Sequence, residues 1–485
     1  MKKFSGKVVA LLMAISLLVG AAGSYAVFGF VQNRSQESAA AATNGTIAAD
    51  KATAKVKAIH DLIENKYFQK ISSSDLYDGA IKGMIEALND PFSSYMNAKT
   101  ASDFTQSLSS SFQGIGAEVQ MVGKQVTVVS PIKGSPAERA GLKPKDAIVK
   151  INGKSTDGLD INQAVNKIRG KKGTVVRLGI KRPGVSDELA FAIKRDTIPI
   201  RTVESKMLKR DGQSIGYIAI TQFNENTDQE FTKALSKLEG DQMKGLIIDV
   251  RGNPGGYLQA VEKIGNLLVP SDKPIVQIED RAGKKQPFYS TLKKKKQYPI
   301  TALIDGGSAS ASEILAGALH EAAGYPLVGV KSFGKGTVQQ GIELSDKSEV
   351  KLTTDKWLTP DANWIHKKGI KPTINVKQPD YFYVAPITLK KGKTLKADET
   401  SAIIADAQKM LKAAGHNPGR VDGYYSAGTV QAVKAFQQDK KLPSSGVINQ
   451  KTADALQQAT LTAIKNQKND RQLNTAVKVI EKDLK

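Results

Sequence analysis

From Pro199 onward the chain alternates short β-branched runs with segments of helical spacing, and this alternation constrains the fold more than any other feature. Residues 215–220, 245–250, 300–304 and a run around Ile275 read as strands, whereas residues 228–238 and 258–268 carry apolar side chains at three- and four-residue intervals. Strands separated by helices favour an α/β core. With 485 residues the chain is too long for one hydrophobic core, so several domains are expected.

The flanks read differently. Val56, Ile59 and Ile63, then Ala80, Ile81, Met84, Ile85 and Leu88, predict two helices, the second ended by Pro91. Such a short arm cannot bury its own stripe, so it packs on a later domain or on a second copy as a homodimer; packing within the chain is the expectation. Residues 117–120, 126–129, 147–151 and 175–181 read as strands around a helix at 161–168, a compact β-rich unit. A lysine-rich linker at 389–396 leads into a small helical unit ending near Thr460, and a last charged helix is expected at 471–484.

At the other end Lys2, Lys3 and Lys7 precede an uncharged stretch from Val8 to Val31, which reads as an export signal. As a helix it spans roughly 36 Å, enough for a bilayer of about 30 Å, so a retained anchor is favoured over a cleaved signal peptide. Everything after Gln32 then lies outside the cell. Residues 33–50 follow as a tether. The absence of cysteine removes disulfide frameworks, thiolate metal sites and Cys nucleophiles. The net charge of +23 favours polyanionic partners. With the chain exported, nucleic acid is not expected and an anionic wall polymer is.

Two segments carry the chemistry. The strand at 300–304 runs into Asp305-Gly306-Gly307-Ser308-Ala309-Ser310-Ala311-Ser312-Glu313 and then into a helical pattern. A strand, a glycine turn and a helix start expose a hydroxyl beside free helix N-terminal amides, which suits a nucleophile with an oxyanion donor. Ser310 and Glu313 also fit a capping box, the commoner use of such spacing. The second segment, Ser332-Phe333-Gly334-Lys335-Gly336-Thr337-Val338-Gln339, sets one lysine between two glycines. A lysine base must lose about three pKa units by desolvation, and the controlling pKa is expected at about 8 to 9. None of the four histidines joins an HExxH motif or an evident Ser-His-Asp frame, so zinc and histidine-based hydrolysis find little support.

Taken in order, Asp90-Pro91-Phe92, Gly114-Ile115-Gly116, Gly216-Tyr217-Ile218 with Gln222-Phe223, Asp249-Val250-Arg251-Gly252-Asn253-Pro254-Gly255-Gly256, the serine segment, Phe333-Gly334-Lys335-Gly336 and Gly369-Ile370-Lys371-Pro372 resemble the carboxyl-terminal processing (tail-specific) serine peptidases. The resemblance implies a ClpP/crotonase-like α/β protease core, with Ser310 as nucleophile, Lys335 as general base and Gln339 as its orienting partner. It implies structural roles for Ser308 and Ser312, and backbone oxyanion donors at Ala311 and at Gly255 or Gly256. No metal or cofactor is implied. The segment around Gly114, Ile115, Gly116 and Ala117, with Ser135-Pro136-Ala137 and Gly141-Leu142, resembles a PDZ domain whose loop receives a peptide carboxylate. Arg169 is a candidate for coupling it to the protease. Leu411, Gly415, Val421-Asp422-Gly423-Tyr424, Thr429 and Phe436-Gln437 resemble a three-helix peptidoglycan-binding unit.

The expected order is therefore a signal peptide or anchor at 1–32, a tether and helical arm at 33–111, an inserted PDZ domain at 112–196, the protease core at 197–388, the peptidoglycan-binding-like unit at 389–460 and a C-terminal helix at 461–485. The function implied is an extracytoplasmic endopeptidase acting on exposed C-terminal tails of proteins or peptides, held at the membrane or in the wall of a Gram-positive cell. The main alternative is a non-catalytic PDZ and wall-binding scaffold; an acyl-CoA enzyme on a crotonase-like core is disfavoured by export.

Overall fold

The structure, a computed structural model, describes residues 46–390 and 392–484, with side chains from residue 51 onward. The export segment at 8–31 lies outside the described residues. Among those described, no helix is long and apolar enough to cross a membrane.

The expected alternation builds a six-stranded sheet in the order Val203–Arg210, Gln213–Ile220, Gly245–Asp249, Ile300–Ile304, Leu327–Gly329, Ile374–Asn375. The first pair is antiparallel and every later pair parallel. All five residues of Gly245–Asp249 and of Ile300–Ile304 are buried, as strands covered on both faces must be. On one face lie the helices Thr227–Gly240, Leu258–Leu268 and Ala311–Gly317, whose Phe231, Leu235, Val261, Ile264 and Leu315 join the largest apolar cluster. The other face is covered by the C-terminal helix Arg471–Asp483, which buries Leu473, Ala476, Val477 and Ile480 against Ile215, Ile247, Leu303 and Val328.

A second sheet was not foreseen. Glu349–Leu358 runs through its middle, pairing with Ser94–Met96, Pro274–Glu279 and Thr337–Glu343. It fastens the end of the N-terminal arm directly to the strand that follows Lys335.

The β-rich unit leaves and rejoins the chain through one antiparallel ribbon, Ser111–Gly114 with Asp196–Pro199. Its sheet runs Ala117–Val122, Gln125–Pro131, Ala147–Ile151, Val175–Lys181, Leu189–Lys194 around a separate apolar cluster that includes Val126, Ile148, Ala164 and Leu178. Three helices, Ala402–Ala413, Ala427–Asp439 and Gln450–Lys465, enclose a further cluster with Leu411, Tyr425, Val433, Phe436 and Leu456.

Among the described residues the arm does not bury its stripe within the chain as expected. Its helices are Thr46–Lys66 and Ser73–Glu86, and the second buries no residue. Leu62 is 60 % exposed, Met84 65 % and Phe68 82 %. The two helices hold each other through His60, whose ring stacks on Tyr77 and whose Nε2 lies 2.7 Å from Ser73 Oγ; the strand Ser94–Met96 touches the second helix where Tyr95 Oη donates to Asp78 Oδ1 (2.7 Å), and among the described residues the apolar stripe stays exposed.

Candidate active site

Ser310 stands between the strand Ile300–Ile304 and the helix Ala311–Gly317, at φ 53° and ψ −114°, a conformation costly for any residue with a Cβ. The turn is held by its neighbours. Ser308 Oγ donates to Val250 O (2.8 Å), Ser312 Oγ to Asn253 O (2.8 Å) and Ala309 N to Asn253 O (3.0 Å), stitching the serine segment to the 249–256 loop. A Cβ at Gly255 would lie 2.9 Å from Ser310 Cβ and 3.1 Å from Ala311 N, and its φ of 107° also demands glycine, so that loop runs against the serine only because no side chain intervenes. The Gly255 N–H donates to Asn253 Oδ1 (2.8 Å) and is committed within the loop. Of the expected backbone donors, Ala311 occupies the first helical position, where no intrahelical acceptor exists, and Gly256 is the glycine whose N–H is not engaged by Asn253.

Glu313 does more than cap the helix. Its carboxylate is fully buried and accepts from Ser310 N (2.9 Å), Ser332 Oγ (2.5 Å), Gly334 N (2.7 Å) and Lys335 N (2.8 Å), so one side chain joins the serine and lysine segments. Burial lifts its pKa, and these four hydrogen bonds offset that only in part.

Lys335 is 3 % exposed. Glycines flank it for a steric reason: a Cβ at Gly334 would lie 2.9 Å from Gly369 N, and one at Gly336 2.8 Å from His366 N. Segment 364–370 thus closes over the lysine loop, with Lys367 N donating to Gly334 O (2.8 Å) and Trp364 Nε1 to Gly336 O (2.8 Å). The ammonium group lies 4.9 Å from the Phe92 ring centroid. Burial, seconded by the nearby Lys351, lowers the Lys335 pKa to about 7, against the pull of Asp90 and Glu313. Gln339 is also buried, and its Nε2 donates to Thr337 Oγ1 and Thr353 Oγ1, both at 3.0 Å.

Asp90, Phe92, Glu313, Lys351, Thr353 and His366 were not assigned to the site from sequence. Asp90-Pro91-Phe92 and the Ser310/Glu313 spacing were visible signals; the others stand on a strand and a loop remote in sequence. His366 adjoins the lysine loop, its Nδ1 accepting from Gly336 N at 3.4 Å.

In the β-rich unit Ile115, Gly116 and Ala117 line a cavity of about 190 Å³ with Phe112, Val165 and Arg169, while Gly114 ends the strand leading into it. Arg169 lies over the Phe112 ring and donates to Gln106 Oε1 (3.3 Å) on the helix Ala98–Leu108. That helix packs on Tyr257, the residue after Gly256. A wider cavity of about 950 Å³ also touches Arg169 and lies between this helix, the β-rich unit and the hairpin residues Glu343 and Glu349. Among the described residues the one His/Asp/Glu grouping compact enough for a metal is His60, Asp61 and Glu64 on the arm.

The sequence matches the family described as Peptidase family S41 over residues 214–376. It is 50 % identical over 474 residues to the carboxy-terminal processing protease CtpB of Bacillus subtilis (strain 168), covering 97 % of this chain and 98 % of that one. The chain belongs to the carboxy-terminal processing proteases of family S41. CtpA of the same organism is 44 % identical over 430 residues, covering 89 % of this chain and 90 % of that protein. A solved photosystem II D1 C-terminal processing protease shares 27 % identity over 66 % of this chain and 86 % of its own, with a TM-score of 0.41. This family member also matches the activating protease CtpB N-terminal domain over 17–100, a PDZ domain over 127–182 and a peptidoglycan binding domain over 400–456. As an S41 carboxy-terminal processing protease with a PDZ domain, it is a serine protease.

Proposed function

We propose that this S41 protease cleaves through an acyl-enzyme in which Ser310 attacks, neutral Lys335 takes its proton, Gln339 orients the lysine, and Ala311 and Gly256 N–H groups receive the oxyanion. The observation that carries the reading is the junction made by Glu313, which binds the strained Ser310 turn and the desolvated Lys335 loop with one buried carboxylate. A lysine with a pKa near 7 is half neutral at physiological pH, as a general base requires. A ClpP/crotonase-like kinship of the core is proposed on the mixed six-stranded sheet and the placement of the serine at a strand-to-helix turn.

Substrates are proposed to present a free, unstructured C-terminus to the cavity at Ile115–Ala117, where backbone amides suit a carboxylate. Arg169, Gln106 and the helix Ala98–Leu108 then form a contact path from that cavity to Tyr257 beside the oxyanion loop. The test is single-turnover degradation of a tailed protein and of its C-terminally amidated form, alongside labelling by a serine-reactive phosphonate. Faster loss of the free-tailed form, with labelling abolished in Ser310→Ala and Lys335→Ala, is expected; equal rates remove tail recognition, and absent labelling of the wild type favours the non-catalytic scaffold.

The working place is proposed to be the outer side of a Gram-positive cell, on the strength of the 400–456 match and the basic balance of the chain. Loss of wall association on excision of residues 400–456, with the C-terminal helix kept, checks the first point, and membrane fractionation of the full chain checks the anchor at 8–31. The uncovered stripe of the arm is proposed to pair with a second copy. Sedimentation should give a dimer that Leu62→Glu with Met84→Glu dissociates.

A further inference from the structure

The environment of Gln339 contains a chain of hydrogen bonds that begins on the N-terminal arm. Thr353, in the strand Glu349–Leu358, accepts from Gln339 Nε2 at 3.0 Å and donates from the same hydroxyl to Asp90 Oδ2 at 2.5 Å. Asp90 also receives Ser93 Oγ (2.7 Å) and Phe92 N (3.1 Å), and Ser93 Oγ in turn accepts from Thr353 N (3.0 Å). Each link has one possible direction. Burial pushes the Asp90 carboxyl up, but its hydrogen bonds from Thr353, Ser93 and Phe92 outweigh that and hold it below the ordinary value, so it is ionised and only accepts. The single hydroxyl proton of Thr353 must therefore point to Asp90. Toward Gln339 this hydroxyl can offer only a lone pair, and the amide must turn its NH₂ end to it. The second N–H of that amide goes to Thr337 Oγ1 (3.0 Å). Both donors are then placed, and Oε1, the acceptor end, is the atom left to serve an amine.

We propose that Asp90 is a positioning residue for catalysis: acting through the Thr353 hydroxyl, it fixes the amide of Gln339 in the one orientation that presents an acceptor to Lys335. The proposal rests on the reading of Gln339 as the orienting partner of the lysine. It gives the Asp90-Pro91-Phe92 segment a double task. Phe92 covers the ammonium group at 4.9 Å, and Asp90 sets the amide, so the end of the arm reaches the general base from two sides. The charged groups that act on this lysine are Lys351, Asp90 and Glu313, drawn from the central strand, the arm and the serine helix, while His366 on the closing loop feels the lysine in turn.

The experiment is a set of variants of the full chain, read by kcat and KM on a tailed substrate, by the pH profile of acylation and by melting temperature. Thr353→Val removes the hub, whereas Thr353→Ser keeps its hydroxyl. We expect Thr353→Val and Asp90→Ala to lower kcat about tenfold or more with KM within about twofold, and Thr353→Ser to restore most of the rate. In a Gln339→Ala background, Asp90→Ala should cost less than about a further twofold at the alkaline plateau, since residues acting through one another are not additive. Losses that multiply in the double variant, or Thr353→Val with the rate of wild type, overturn the relay. A Gln339→Ala enzyme as fast as wild type would instead sink the reading of Gln339 itself, and the relay with it. Where Asp90→Ala does not fold, the contrast of Thr353→Val with Thr353→Ser decides the matter alone.

Discussion

At the scale of single residues, the character of the site comes from putting polar groups where they are costly. Lys335 at 3 % exposure gives up hydration of its ammonium, and burial brings its pKa to about 7 rather than the about 8 to 9 that the sequence suggests. Burial is the main cause, and a second buried lysine that sequence spacing hides, Lys351 on the strand Glu349–Leu358, adds to it. The sign for activity follows directly. In the proposed mechanism the working form is the neutral amine, so acylation should climb as pH rises through about 7 and flatten above it. This midpoint overlaps the histidine range, and His366 adjoins the lysine loop, so the profile alone does not name the base. His366→Ala should move the midpoint by less than about one unit and keep the rise, whereas Lys335→Arg should abolish turnover because guanidinium stays charged. Single-turnover acylation from about pH 5 to 10 checks both. A profile made flat by His366→Ala would transfer the base role to the histidine.

The element scale shows why a strand-to-helix turn serves here. The helix Ala311–Gly317 is only seven residues long, and its first turn is fastened by Glu313 to backbone groups of the lysine loop rather than by a cap alone. Removing that carboxylate strands four buried donors, from Ser310, Ser332, Gly334 and Lys335. Glu313→Ala should therefore cost on the order of 4 kcal/mol, more than the about 1 kcal/mol typical of losing a helix cap. Urea unfolding measures this, and phosphonate labelling of Ser310 should fall at urea concentrations where the variant is still folded. A cost near that of an ordinary cap, with normal labelling, would return Glu313 to a purely local role. The same scale holds one miss. The helix Ala98–Leu108 buries Ala101, Phe104 and Leu108 at i, i+3 and i+7, a legible but short stripe among polar neighbours, and it links Arg169 to Tyr257.

For the whole molecule, the distant ends of the chain meet at the protease core. Asp470, at the start of the C-terminal helix, makes paired contacts of 3.0 and 2.9 Å with the guanidinium of Arg251, whose Nη2 also donates to Asp249 at 2.6 Å. Arg251 lies five residues before Gly256, so the last helix braces the loop that faces Ser310. Asp470→Ala should cost about 3 kcal/mol, as expected for breaking a largely buried pair, and should lower kcat while leaving binding of a tail peptide unchanged. Chemical denaturation and peptide titration would check this, and an unchanged kcat would confine the pair to stability. The sequence by itself determined the strand and helix order of the core, the serine turn and the glycine-flanked lysine, because these are local: periodicity, turn chemistry and motif spacing act within a few residues. Tertiary structure decided what those segments meet. The strand Glu349–Leu358 brings Thr353 and Lys351 to the lysine, Asp90 arrives from the arm 263 residues away from Thr353 in sequence, and the arm's apolar stripe is left uncovered. Long-range pairing, burial and the pKa values that burial sets belong to no single segment, so they become defined only when the sheets assemble.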